Sequence, residues 1–436
     1  MNSQETRQSS VRRVLAVTLV LAFISTTGCA AFRPVPMDEV PFRERAQTQQ
    51  EGPVRVTVAV PSPQESRKLF GVDLAGKNIQ PVWLEICNED TVPYWFFPSH
   101  LDPAYYSPNE AAFRSRFPLG GDANEKLTRH LQAMIFEDYL PAGSTTSGFV
   151  YATLDQGTKH VCVTLLSFRS YKTFTFIVPV PGMRIDHQKV EFESLYGADD
   201  FKTLDEKGLR EALEALPSCT MNKRGTQNGD PLNLVIVGHG EDILAALIQS
   251  GWDETEMLYS RSALKTANSF LFGKKYRYSP ISSLYVYGRG QDAAFQKARE
   301  SIHERNHLRL WLTPKTFEGK PVWIGQISRD IGVKFTLHEG FIVTHVIDPD
   351  VDNDRWYLVQ NLLDVQRVCR LGLVKGVGAA KASEPRFNLG GDPYFTDGLR
   401  AVIMISEEPV PYDEVEFFDW ELPPKQEQYR NQWLNK

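Results

Sequence analysis

Residues Arg305-Asn306-His307-Leu308-Arg309-Leu310-Trp311 alternate basic or aromatic side chains with apolar ones. In an extended strand, Arg305, His307, Arg309 and Trp311 share one face, and Leu308 and Leu310 share the other. A basic-aromatic face of this kind can hold an anion, with the imidazole acting as acid or base. The plainer alternative is a solvated face, or one paired with neighbouring carboxylates. The second segment is Thr344-His345-Val346-Ile347-Asp348-Pro349-Asp350-Val351-Asp352-Asn353-Asp354-Arg355, in which four aspartates alternate along the chain. Carboxylates so spaced repel one another unless a cation or basic groups compensate. Oxygen ligands at this spacing suit calcium or magnesium. The segment is not an EF-hand loop, because Asn353 stands where the sixth-position glycine is needed and Val359 where the twelfth-position glutamate is needed. The competing reading is structural: Asp350 or Asp352 caps the helix that follows. Between the two lies Ser328-Arg329-Asp330-Ile331-Gly332, a bend or bulge whose Arg329 can pair with an aspartate. The candidate catalytic residues are therefore His307, Arg309, Arg329, Asp330 and His345. The candidate ligands of a calcium or magnesium ion are Asp348, Asp350 and Asp352.

A third motif is weaker. Gly238-His239-Gly240 follows a strand and opens a helix, where backbone N–H groups can bind anions. It lacks the third glycine of a dinucleotide fingerprint, since Ile243 stands there, and the central serine of a nucleophile elbow. A tight strand-to-helix turn explains its glycines.

The elements that would position these residues fall into an α+β class. From residue 54 to 180 the pattern is strand-like: Val54, Val56, Val58 and Val60 alternate, as do Val82, Leu84 and Ile86. Further strands are expected over 149–154, 159–168 and 171–180, with a helix over 124–139. This reads as an immunoglobulin-like β-sandwich with a helical insertion. The aromatic group Tyr94-Trp95-Phe96-Phe97-Pro98 is expected to pack in its core or at a domain boundary. Residues 181–228 read as a connector. From 229 to 406 the pattern changes to an α+β domain with a mixed, mostly antiparallel sheet. Its strands are expected over 232–237, 283–287, 307–312, 322–327, 334–337, 341–346 and 400–405, with helices over 241–250, 261–272 and 353–368. The acidic, aromatic tail at 407–436 is expected to lie over a domain surface.

The 436-residue chain has 42% hydrophobic and 23% charged residues and a net charge of −6, which gives no basis for nucleic-acid binding. Its start has the order of an export signal: Arg7, Arg12 and Arg13, then an apolar run from Val14 to Ile24, then small residues up to Cys29. The Gly28-Cys29 junction resembles the bacterial lipobox, with Thr26 in place of the usual aliphatic residue. The resemblance implies a signal peptide at 1–28 and lipidation of Cys29. With Ala30 following, it implies an outer rather than an inner membrane. An uncleaved anchor helix and ordinary signal cleavage are the alternatives. Residues 29–53, interrupted by Pro34, Pro36, Pro41 and Pro53 and rich in glutamine, read as a flexible tether. Lipidation of one cysteine leaves Cys87, Cys162, Cys219 and Cys369. In an exported chain these either pair, Cys87 with Cys162 and Cys219 with Cys369, or remain buried thiols.

Residues 229–406 resemble the C-terminal domain of the LssY family. The resembling motifs are Gly229-Asp230-Pro231, Gly251-Trp252, Arg261-Ser262-Ala263-Leu264, the run from Ser279 to Arg289, Gln291-Asp292-Ala293-Ala294-Phe295-Gln296, His307-Leu308-Arg309-Leu310-Trp311, Ser328-Arg329-Asp330-Ile331-Gly332, His345-Val346-Ile347-Asp348-Pro349-Asp350-Val351-Asp352, and Asp397-Gly398. The family is bacterial and looks envelope-associated. Some members join this domain to a DedA-like membrane region and a phosphatidic acid phosphatase-like region, and the name implies a link to type I secretion. Two functions are expected to compete. One is a non-catalytic binding or assembly module, tethered to a membrane and recognising an envelope protein or a membrane component. The other is a hydrolase or binding protein for phosphate-bearing substrates, which requires His307, Arg329, His345 and an aspartate to meet around one cleft.

Overall fold

The computed structural model describes residues 32–423 apart from 119, 169, 184, 186–189, 256–277, 279–280, 299–303 and 336–342. The expected signal peptide, Cys29, and the helix expected over 261–272 lie outside the described residues. The chain divides into two units, Met1–Gly182 and Met183–Lys436.

The first unit is built on β1 (Gln47–Glu51), β2 (Val54–Ala59), β3 (Ile79–Asn88), β4 (Tyr94–Phe96), β5 (Tyr139–Leu140), β6 (Ser144–Thr153), β7 (Gly157–Leu166) and β8 (Tyr171–Val180). They form two antiparallel sheets, ordered β1-β2-β3-β6 and β5-β4-β7-β8. With β1 set aside, this is the strand order of an immunoglobulin-like sandwich. The alternation read from the sequence supplies the inner faces. Val54, Val56 and Val58, Val82, Leu84 and Ile86 meet Val161, Val163 and Leu165, Phe174, Phe176 and Val178 in one apolar cluster. Burying each such side chain contributes about 1.5–3 kcal/mol. Helices α1 (Pro63–Phe70), α2 (Pro108–Arg114) and α3 (Gly121–Ala133) cover the other face of the first sheet. There Leu69, Phe70, Ala111, Leu127 and Leu131 pack on Trp83, Phe149 and Tyr151. Strand β3 is therefore buried on both faces. Gly148 permits the close crossing of the chain after α3: a Cβ there would lie 2.6 Å from the carbonyl oxygen of Ile135.

The tether expected over 29–53 is corrected from residue 32 onward. Val40 and Phe42 are buried in the cluster under α1, and β1 pairs in register with β2. The glutamines that make this stretch look unfoldable have a structural use. Gln47 Nε2 donates to the carbonyl of Ile177 at 2.8 Å and Gln49 Nε2 to that of Thr175 at 2.7 Å, so β1 closes the gap to the edge of β8. Of the two alternatives for the cysteines, the structure has the one without disulfides: Cys87, Cys162, Cys219 and Cys369 are not bridged. Cys87 and Cys162 alternate with core residues of opposite sheets, so their side chains leave the sandwich in opposite directions and cannot bridge. Cys369 turns its thiol to the carbonyl oxygen of Met404 at 3.4 Å.

In the second unit, β9 (Lys202–Leu204), α4 (Glu206–Glu214), β10 (Cys219–Met221) and β11 (Asn228–Pro231) precede β12 (Leu234–Val237), α5 (Gly240–Gln249) and β13 (Asp253–Glu254). After these come β14 (Ala293–Ala298), β15 (Arg305–Phe317), β16 (Lys320–Phe335), β17 (Val343–Ile347), α6 (Val351–Asp364) and β18 (Val368–Lys375). The last elements are β19 (Arg386–Phe387), β20 (Pro393–Tyr394), β21 (Leu399–Ile405) and β22 (Glu416–Phe417). The main sheet runs β13-β14-β15-β16-β12-β21-β18-β22, with β9 beside β15 and β17 beside β16. It is mixed and mostly antiparallel, as expected; β12–β21, β15–β9 and β18–β22 are its parallel pairs. One face packs against α5 and α6 through Leu308, Leu310, Leu234 and Ile236. The other carries Val235, Val237, Trp311, Ile324, Val402 and Met404 against Leu209 and Leu213 of α4. The expected connector is thus part of this unit, since β9 extends the sheet and α4 fills its core. The tail adds β22 to the sheet edge and buries Phe418 against Phe317 and Trp420. The strand expected over 283–287 makes only two isolated bridges, Met221–Tyr285 and Val286–Arg289.

Candidate functional site

Strand β15 alternates as its sequence requires, but neither face meets solvent. Leu308 and Leu310 enter the core beneath α5 and α6. Arg305, His307 and Arg309 are each almost wholly buried on the opposite face. The register brings His307 opposite Ser328 and Arg309 opposite Gln326, and Gln296 of β14 pairs with His307 from the other side. Three neighbouring strands thus contribute one polar layer.

His307 Nε2 lies 2.6 Å from Asp330 Oδ2, and Arg305 Nε is 3.6 Å from the same oxygen. Arg305 also donates to Gln296 Oε1 at 2.8 Å. Burial, reinforced by the charges of Arg305 and Arg309, holds the imidazole pKa well below its usual value. The ring is therefore neutral. Which atom of the His307 Nε2–Asp330 Oδ2 bond donates depends on the imidazole tautomer, and Arg305 stands beside the same oxygen. Arg309 donates to Gln326 Oε1 at 2.7 Å and to the carbonyl of Ser282 at 2.9 and 3.1 Å. Asp230 completes the layer: burial raises its pKa, Arg309 opposes that rise, and Asn388 donates to it at 3.1 Å. A neutral histidine oriented by a carboxylate is the arrangement a general base requires. Here the pair lies inside the unit, with both partners about 5% exposed.

Arg329 belongs to the other face of the sheet. It alternates with Asp330 on β16, lies opposite Asn306, and donates to that side chain at 2.9 Å. Its guanidinium stands over the ring of Tyr357 at 4.9 Å, and its Nε is 3.3 Å from Asp354 Oδ1 of α6. Burial pushes the Asp354 pKa up to about 7; Arg329 opposes this, and Asp348 and Asp350 add to it. The sequence-derived site is therefore divided, with His307, Arg309 and Asp330 on one face of the sheet and Arg329 on the other. His345 pairs through its backbone with Val333; its side chain is outside the description.

The three candidate metal ligands are each engaged within the fold. Asp348 accepts the amide of Asp350 at 3.0 Å. Asp350 occupies the N-cap position of α6 without capping it, because its carboxylate accepts the side-chain amide of Asn353 at 3.0 Å. Asp352 accepts Thr396 Oγ1 at 2.7 Å and the amide of Asp397 at 2.6 Å, and lies 3.3 Å from Arg355. Among the described residues, no three His, Cys, Asp or Glu side chains are placed to hold a metal ion. Gly238-His239-Gly240 forms the turn from β12 into α5. The amide of Gly238 donates to Pro321 and its carbonyl accepts Trp323 Nε1 at 3.1 Å, so the turn is bound into the sheet.

Sequence reasoning missed three buried charges. Asp354 and Arg355 lie on the stripe of α6 that also buries Val351, Leu358, Val359 and Leu362. Their helical spacing was the available signal: two charges on an apolar stripe. Arg355 is fully buried, with Asp397 at 2.8 and 3.0 Å. Arg400 is also fully buried. It donates to the carbonyls of Leu232, Leu213, Leu216, Pro217 and Gly376, neutralising the C-terminal end of α4. Burial pushes its pKa down to about 10.

The first unit has a feature of a different kind. Tyr94 and Phe96 enter its core as expected, but Trp95, between them, faces outward. Tyr139 and Leu166 lie opposite Trp95 in register, and Leu166 pairs with Tyr171. The ring of Trp95 is 5.3 Å from that of Tyr139 and 5.7 Å from that of Phe168. Phe168 is 80% exposed and Tyr171 72%. These side chains form one contiguous exposed group rather than scattered apolar exposure.

Among the described residues, no helix is long and apolar enough to cross a membrane. No curated protein matches the chain. The family model of the LssY C-terminus matches residues 213–399, starting inside α4 rather than at 229 and ending at the first residue of β21, so the second unit is similar to that family over those residues.

Proposed function

We propose that this protein is a cell-envelope lipoprotein, anchored through Cys29, whose folded units form a non-catalytic binding or assembly module for an envelope protein. The exposed aromatic cluster of Trp95, Tyr139, Leu166, Phe168 and Tyr171 carries this reading. Trp and Tyr supply large contact area at low entropic cost and dominate protein interfaces. The division of the expected catalytic set between two sheet faces supports it. The similarity to the LssY C-terminus family, some members of which carry it beside membrane regions, supports an envelope setting. The lipobox-like junction supports the anchor, and its two acyl chains suffice for stable attachment. A link to secretion or to membrane-lipid processes follows from the family alone.

Two measurements test the proposal. Metabolic palmitate labelling and globomycin-sensitive processing are expected for the wild type and absent in Cys29→Ala; an unlabelled wild type overturns the anchor. A photo-crosslinking amino acid at Phe168 is expected to trap a discrete envelope protein, and Trp95→Ala is expected to reduce that adduct at least about tenfold, the loss of a central aromatic anchor. The second reading, a hydrolase of phosphate-bearing substrates, rests on the His307–Asp330 pair at 2.6 Å. Turnover of p-nitrophenyl phosphate by the purified protein, abolished in His307→Gln, would replace the module by the hydrolase.

A further inference from the structure

We infer that the corner of the first unit at which the chain joins its fold lies against a lipid surface bearing anionic phospholipid headgroups. This rests on the anchoring of Cys29 proposed above and goes beyond it by assigning the face that meets the membrane. Phe32 is already part of the fold. Its ring packs edge-on to His130 at 5.5 Å and fills the space over Gly71, where a Cβ would come within 3.2 Å of it. Gly71 is the left-handed C-cap of α1, with φ +65°, and the amide of Val35 donates to the carbonyl of Lys68 at 2.8 Å. The chain is thus fixed against the C-terminal end of α1 from its first described residue.

Two residues, Ala30 and Ala31, separate Cys29 from Phe32, and the three steps of chain span at most about 11 Å. A lipid on Cys29 therefore holds this corner within about a Debye length of the headgroups. The exposed charges there are largely basic. Arg33 lies in the joining segment, Arg67 and Lys68 in the last turn of α1, and Lys77 in the turn that follows. Arg67 is paired with Asp73 at 2.7 Å. Among the described residues, Arg33, Lys68 and Lys77 have no acidic partner in the fold. The exposed acids nearest to them along the chain are Asp73, which Arg67 pairs, and Asp38 and Glu39, five and six residues after Arg33. Each basic residue at an anionic surface is worth roughly a fivefold gain in association. Three of them on a short leash orient the unit as well as hold it.

The test uses the full-length protein reconstituted into vesicles, with lysine acetylation read by peptide mass spectrometry. On vesicles containing phosphatidylglycerol, Lys68 and Lys77 are expected to react at least about fivefold more slowly than in detergent, while the exposed Lys207 of the second unit keeps its rate. Arg33→Glu is expected to weaken that protection. Intact mass separates the two levels of the proposal. A protein without acyl groups on Cys29 overturns anchor and orientation together. An acylated protein whose Lys68 and Lys77 stay fully reactive, or are equally protected on phosphatidylcholine vesicles, overturns this inference alone.

Discussion

The two units solve the problem of an interior in opposite ways. The sandwich is closed by valine, leucine, isoleucine and phenylalanine from two facing sheets, and Asp102 and Lys159 are its buried charged side chains among the described residues. The second unit also has large apolar clusters, yet it buries Arg305, Arg309, Arg355 and Arg400 with Asp230, Asp330 and Asp354. Taking such charges out of water is costly. They persist only where partners compensate them, and removing one partner leaves the other stranded. The difference teaches where the charged motifs of this sequence belong. Most of them are internal joints between strands, helices and the long loop before β21, while the large exposed aromatic group belongs to the sandwich.

The sharpest way to break this comparison is Arg355→Ala. It strands Asp397 and Asp352 and frees the carbonyl of Leu399, which Arg355 bonds at 2.5 Å. The second unit is expected to lose about 3–5 kcal/mol, the range for one partner of a buried pair. Amide exchange in β21 should rise accordingly, while exchange in β3 stays unchanged. A loss below about 1 kcal/mol would show that the buried charges are incidental to the fold.

Titration sharpens the contrast at a smaller expected effect. The Asp354 carboxyl has a pKa of about 7 in the fold, above its ordinary value near 4. Between these values the folded state binds more protons than the unfolded one, so stability falls as pH rises from about 4 to about 7. The slope is at most about 1.4 kcal/mol per pH unit for one group. Asp230 and Asp352 shift in the same direction through burial and add to it. Denaturant unfolding of Asp354→Asn across this range should be measurably flatter than that of the wild type. Identical slopes would remove Asp354 from the account.

Much of the sandwich was legible because period-two alternation is a local signal that burial of one face enforces. Val54 to Val60 and Val82 to Ile86 read directly as its inner faces. The mixed, mostly antiparallel sheet of the second unit was legible too, although β14 and β18 were not: Ala293–Ala298 and Val368–Lys375 are covered on both faces and lack a clean period. The site was half legible. Strand pairing places three of the expected residues, His307, Arg309 and Asp330, in one layer. Joining Arg329 and the aspartates to them failed for a geometric reason: Arg329 and Asp330 are adjacent on one strand and so face opposite ways. The expected pairing of Arg329 with an aspartate of the second segment is found at Asp354, whereas the burial of Asp354 and Arg355 was signalled only by their spacing on the apolar stripe of α6.

The smallest expected effect concerns β1, where composition misled most. Gln47 and Gln49 sit in a stretch whose prolines and glutamines suggest an unfolded linker, yet their amides donate to carbonyls of β8. These carbonyls lie along an edge strand, and edges left open invite pairing with other chains. A neutral side-chain hydrogen bond of this kind contributes about 1 kcal/mol. Gln47→Ala should therefore cost the sandwich no more than that, less than the about 2–5 kcal/mol of truncating a buried core residue. Its larger consequence is expected in solution behaviour: Gln47→Ala/Gln49→Ala exposes the β8 edge and should raise concentration-dependent association, read by light scattering under conditions in which the wild type stays dispersed. If the double variant stays as dispersed as the wild type and loses stability instead by several kcal/mol, then β1 is held as part of the core rather than as a cover for an edge. The polar segment would then have to be counted with the apolar interior from which this comparison separates it.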